Sequence, residues 1–128
     1  VSVALACIAL LGLLLFGLGL AVSLKRGSSN VVIGHPSDPA DPLHKLVRAH
    51  GNTAEYAPLL AVLMLALALG EPPPVWAVWC MGLATASRYL LAAGMLLSPT
   101  LAKPHPLRFV GALGTYLTGL ALSVALFL

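Results

Sequence analysis

A chain of 128 residues has room for one compact unit, yet 59% of it is hydrophobic and only 9% is charged, against roughly 25% charged in an ordinary soluble domain. A small soluble domain has too much surface for its volume to hide that much apolar side chain, so the composition excludes water as the surrounding solvent and calls for lipid. Seven Lys plus Arg against four Asp plus Glu give a formal charge of +3, but these cations are spread over loops and helix ends instead of forming a stripe, and no nucleic-acid partner is expected.

The first 24 residues, Val1 to Leu24, carry no charge. They are long enough to cross a bilayer, lack the basic region that opens a secretory signal, and exceed its usual apolar core of about 7 to 15 residues, so they read as a retained membrane helix. Lys25-Arg26-Gly27-Ser28-Ser29-Asn30 is expected to end it. A connection of roughly 18 residues, rich in Pro, Gly, Asp and His, follows. Asp41 can then cap a second helix, and Pro42 can take the first helical position, where its missing N–H costs nothing. That helix runs over 43–69 until "GEPPP" at 70–74 forces a tight turn. The third, 75–97, is apolar except for Arg88 and a few small polar residues, and Ser98-Pro99 stops it. The fourth runs over 106–128.

The expected fold class is all-α: one domain, 1–128, forming an integral membrane four-helix bundle with helices at 1–24, 43–69, 75–97 and 106–128. A soluble bundle would carry a polar stripe on every helix, and the first and last helices have essentially none. Lys25, Arg26 and Lys45 border the first connection and Lys103 and Arg108 the third, while the Glu71 turn has no basic residue. By the positive-inside tendency both longer connections face the cytoplasm, both termini lie opposite, and Trp76 and Trp79 sit near the far interface. Gly12, Gly17 and Gly19 on the first helix, and Gly111, Gly114, Thr115, Thr118 and Gly119 on the fourth, permit close helix approach within a subunit or between subunits. Cys7 and Cys80 lie in apolar stretches without metal or redox spacing, and His35, His44 and His105 make no metal triad. No metal site is expected.

The segment that departs most from membrane composition is "HKLVRAHGNTAEYAP" at 44–58. At 100° per residue Arg48, Asn52 and Glu55 fall within about 60° of one another, with Tyr56 bordering the same side. Arg48 can snorkel to the interface. Glu55 lies roughly 15 Å along the helix and needs a partner, an aqueous cleft or a proton. Arg88, nine residues before the end of the third helix, reaches a similar depth. Two readings stand: a structural Arg88–Glu55 ion pair locking two helices, or a polar cavity lined by Arg48, Asn52, Glu55 and Arg88, with Arg108 near its rim. Pro58 removes the hydrogen bond to the Ala54 carbonyl, which either kinks the axis and widens a cleft or is simply tolerated. Tyr56 suits ligand contact or packing, His50 points away from the polar face, and Tyr89 and Tyr116 are expected only to pack.

The string "RAHGNTAEYAP" at 48–58 resembles the signature of the MAPEG family, the membrane-associated proteins in eicosanoid and glutathione metabolism. Arg48, Asn52, Glu55 and Pro58 match its second-helix pattern, and Glu55-Tyr56 is similar to its leukotriene-synthesising members. The length, the four crossings, Arg88 and "PLR" at 106–108 extend the resemblance over nearly the whole chain. It implies a homotrimer binding glutathione between neighbouring subunits at the cytoplasmic side, while a lipophilic substrate approaches through membrane lipid. It assigns Arg48, Asn52 and Glu55 to glutathione, adds Tyr56 and Arg88 as further contacts, and places Arg108 near the sulfur, where a guanidinium favours the thiolate. A divergent microbial member in a bacterial inner membrane is implied. Leu91 stands where many relatives have histidine, Met95 where glutathione-binding relatives often have tyrosine, and Phe109 and Ala112 replace polar residues of one branch. The resemblance thus implies a glutathione-dependent transferase or peroxidase acting on a hydrophobic electrophile, and the four apolar replacements imply an alternative, a noncatalytic lipid-binding or scaffolding membrane protein.

Overall fold

A computed structural model describes residues 2–128. It contains four helices, α1 (Val3–Ser29), α2 (Pro42–Leu69), α3 (Val75–Leu97) and α4 (Pro106–Ala125), each long and apolar enough to cross a membrane.

The helix ends follow local chemistry. The Ser2 hydroxyl caps α1 by accepting from the Leu5 N–H at 3.2 Å. At its other end α1 continues beyond Leu24 through Lys25 and Arg26 to Ser29, and Asn30 closes it in the left-handed conformation at φ 53°. Lys and Arg are good helix formers and complement the negative end of the helix dipole, so they end the apolar stretch without ending the helix. Asp41 caps α2 as its sequence suggests, with Oδ1 accepting from Leu43 N at 2.8 Å and His44 N at 3.3 Å. The helix passes through Pro58 without interruption, and the proline ring sits on an exposed face. α4 stops at Ala125 instead of Leu128. Its last N–H groups, on Leu126, Phe127 and Leu128, bond three residues back to Ser123, Val124 and Ala125, the tightened turn that serves otherwise orphaned carbonyls.

α3 packs along α4 most extensively, α1 lies against α2 and α3, and α1 does not touch α4. The α3–α4 approach depends on glycine. A Cβ at Gly111 would stand 2.6 Å from Leu91 N, and one at Gly94 would stand 2.7 Å from Arg108 N. Gly111, and Gly114 against Ser87, therefore permit the close α3–α4 approach inside the subunit. Gly12 and Gly17 of α1 face open space, while Gly19 faces the His50 ring.

The interior is layered. One apolar cluster joins Leu11, Leu60, Met64, Met81 and Leu122, with Cys7 buried in it and Cys80 half-buried against it. A second joins Leu18, Ala49, Leu91, Ala92 and Met95. Buried Thr53, Thr85, Arg88, Thr115 and Thr118 add polar atoms to this core. The threonine hydroxyls donate to the carbonyls of Ala49, Met81, Gly111 and Gly114, four residues back, which satisfies them without water. The two longer connections meet at one end, where Leu101 N donates to Pro39 O at 3.0 Å and Lys45 Nζ to Ser98 O at 3.0 Å. The Glu71 turn and the end of α4 share the opposite end.

Candidate functional site

The Asp41 cap sets the start of α2, and helical periodicity then sorts its polar residues into two rows. Arg48 and Glu55, seven apart, form the outer row. Arg48 Nη2 lies 3.8 Å from Glu55 Oε1, with the side chains 44% and 54% exposed. Asn52 and Tyr56, four apart, form the inner row. Asn52 Oδ1 accepts from Arg88 Nη2 at 2.6 Å, and the Arg88 guanidinium carbon lies 5.3 Å from the centre of the Tyr56 ring, within cation–π range.

This pairing corrects the Arg88–Glu55 ion pair that similar depth suggests. Depth matches, but rotation does not: Glu55 stands on the outer row beside Arg48, whereas Arg88 is 1% exposed and meets the inner row. Arg88 consequently has no carboxylate partner. Its Nε and Nη1 are buried and unbonded among the described residues, an arrangement that costs about 1–3 kcal/mol for each donor left without an acceptor.

Two cavities adjoin the residues that hold this guanidinium, which itself lines neither. A cleft of about 310 Å³ at the end with the long connections is lined by Asn52, Leu91, Met95, Arg108, Phe109 and Ala112. A groove of about 430 Å³ between α2 and α4 is lined by Glu55, Tyr56, Leu59, Leu63, Tyr116 and Leu120, among others. Asn52 belongs to the first wall and Tyr56 to the second, so the Arg88 side chain is anchored to both. Arg108 is held by the α3–α4 connection, its Nη1 donating to Leu101 O at 3.2 Å and Lys103 O at 3.0 Å.

The structure thus joins Asn52, Tyr56 and Arg88, pairs Arg48 separately with Glu55, and places Arg108 with Asn52 on the wall of one cleft, while Arg48 and Arg88 line neither cavity. The four apolar residues singled out in the sequence, Leu91, Met95, Phe109 and Ala112, all face this cleft. Tyr116 packs as expected, its ring 5.7 Å from that of Tyr56, whereas sequence reasoning did not place His105 at the site and it lines the cleft with Arg108. Tyr89 and His50 stay off this face: Tyr89 Oη donates to Leu10 O at 2.7 Å across α3 and α1, and His50 packs on Gly19.

Four membrane-crossing helices enclosing a buried arginine, with a cleft at one end that combines polar and apolar walls, define a small multi-pass membrane protein with an intramembrane polar site. The chain belongs to the MAPEG family, whose family model matches residues 4–128. No curated protein and no solved structure matches it significantly.

Proposed function

We propose that the protein is a glutathione-dependent transferase or peroxidase acting on hydrophobic electrophiles. One observation carries this reading: buried Arg88 keeps two free donors while bonded to Asn52, which lines the same cleft as Arg108. Orphaned guanidinium donors favour an anionic ligand, and glutathione offers two carboxylates, an ammonium and a thiol. In this reading Arg48, Asn52, Arg88 and Tyr56 hold the peptide, Glu55 takes its ammonium, and Arg108 favours the thiolate. In transfer, the thiolate forms a carbon–sulfur bond as the electrophile's leaving group departs with its electron pair, or as an epoxide oxygen takes the pair and then a proton. In peroxide reduction, a second glutathione completes the disulfide, and alcohol and water leave. No metal enters either route.

The working assembly is a homotrimer in a bacterial inner membrane, with both termini opposite the cytoplasm. The half-exposed Arg48–Glu55 pair supports assembly, because charges at that depth need shelter that a single subunit does not supply. The clustering of Lys25, Arg26, Lys45, Lys103 and Arg108 toward the joined connections supports the orientation.

The apolar wall of Leu91, Met95, Phe109 and Ala112 favours a second reading, a noncatalytic lipid-binding or scaffolding protein. Calorimetric titration of the folded protein with glutathione separates the two. Saturable binding below about 10 mM, the weak end of measurable affinity, together with conjugation of 1-chloro-2,4-dinitrobenzene, supports the enzyme. No saturable binding, with a lipid copurified and no thiol chemistry, supports the second reading.

A further inference from the structure

The charged side chains are distributed unevenly along the bundle. The Lys and Arg residues and three of the four acids lie in or beside the joined connections or in the polar network of α2 and α3, leaving Glu71 as the only charged side chain at the opposite end among the described residues. Glu71 forms no ion pair there, since Arg48–Glu55 is the only such pair in the described chain. Its own turn gives it little help. Pro72, Pro73 and Pro74 follow it, and proline carries no N–H to cap a carboxylate.

Glu71 lines a cavity of about 540 Å³ together with Pro72, Trp76, Leu67, Ala125 and Leu126. Its walls therefore combine a carboxylate, an indole and an apolar floor. Trp76 is 42% exposed, and its indole N–H makes no hydrogen bond among the described residues. An indole and a carboxylate lining one cavity suit an ammonium group, because the ring quadrupole and the negative charge attract the same cation. The cavity lies where the membrane spans end, so a lipid ammonium can reach it with its acyl chain along the apolar floor.

We propose that Glu71 and Trp76 form a binding site for the head group of a zwitterionic aminophospholipid, with the ammonium at the Glu71 carboxylate, the indole N–H available to the phosphate, and an acyl chain along Leu67, Ala125 and Leu126. An anionic phospholipid is disfavoured at this end, where its phosphate would meet Glu71 with no Lys or Arg side chain among the described residues to offset it. The site is remote from Arg88 and Arg108 and independent of any thiol chemistry.

The test is native mass spectrometry of the detergent-solubilised protein titrated with phosphatidylethanolamine and phosphatidylglycerol of matched acyl chains. Because the basic end also attracts anionic lipid, the comparison is made between variants. Glu71→Gln should weaken phosphatidylethanolamine binding about three- to five-fold, the range expected for losing one interfacial ion pair, and should leave phosphatidylglycerol binding unchanged or stronger. Glu71→Asp should retain the preference, and Trp76→Leu should lose part of it. Wild-type phosphatidylethanolamine affinity in Glu71→Gln, or an equal loss of both lipids, would overturn the proposal. Circular dichroism of each variant verifies the fold, and Glu71→Asp keeps the charge tested if Glu71→Gln fails to fold.

Discussion

Gly111 is the position where the packing of α3 against α4 can be tested with one methyl group. In Gly111→Ala the new Cβ would lie 2.6 Å from Leu91 N, 2.7 Å from Leu91 Cβ and 2.8 Å from Leu91 Cα. Unstrained heavy-atom contacts need about 3.5–4.0 Å, so the helices must part by roughly 1 Å, and the obstructing atoms are chiefly backbone that cannot rotate away. Overpacking of this kind costs about 1–3 kcal/mol, while alanine returns about 1 kcal/mol of helix propensity over glycine. The net expectation is a loss of up to about 2 kcal/mol relative to the wild type, and of about 1–3 kcal/mol relative to an alanine placed where there is room. Gly119 on the same helix is the control, because a Cβ there meets only Leu60 Cδ2 at 3.6 Å, an ordinary contact with a flexible side chain. Gly119→Ala should match the wild type or gain up to about 1 kcal/mol. Unfolding by SDS in mixed micelles, followed by helical circular dichroism, measures both. A Gly111→Ala protein as stable as the Gly119→Ala protein would refute the packing argument.

The partners of Arg88 and Glu55 predict opposite costs for two polar substitutions. Asn52→Leu removes the only hydrogen-bond acceptor of a buried guanidinium and should cost about 1.5–3 kcal/mol in the same unfolding assay, whereas Glu55→Gln breaks a half-exposed pair and should cost no more than about 1 kcal/mol. Asp41→Ala deletes both cap bonds of α2 and should lower stability by about 1 kcal/mol, with Asp41→Asn largely restoring it. Under the proposed function, Arg48→Ala and Arg108→Ala should weaken glutathione binding or turnover at least ten-fold, about 1.4 kcal/mol, while the folded assembly persists. Wild-type affinity in both variants, measured calorimetrically, would remove these residues from the site.

What the chain determines by itself is set by local chemistry. The four spans follow from apolar runs of membrane length and from Pro, Gly and charge at their ends, and three of the helix starts match because Asp41, Pro42, Pro74 and Pro106 act on their immediate neighbours. Where an end departs, as at Ser29 and Ala125, the cause is a cap or a tightened turn that hydropathy does not register. The polar face of α2 is likewise legible, since periodicity gives each side chain its direction around one axis. Periodicity leaves the rotation of that axis against its neighbours undetermined. Only packing turned Asn52 and Tyr56 toward Arg88, left Glu55 with Arg48, brought Tyr116 beside Tyr56, and gave Gly111 a close contact while Gly12 has none. Equal depth brings two membrane charges to one level; relative helix rotation decides whether they meet.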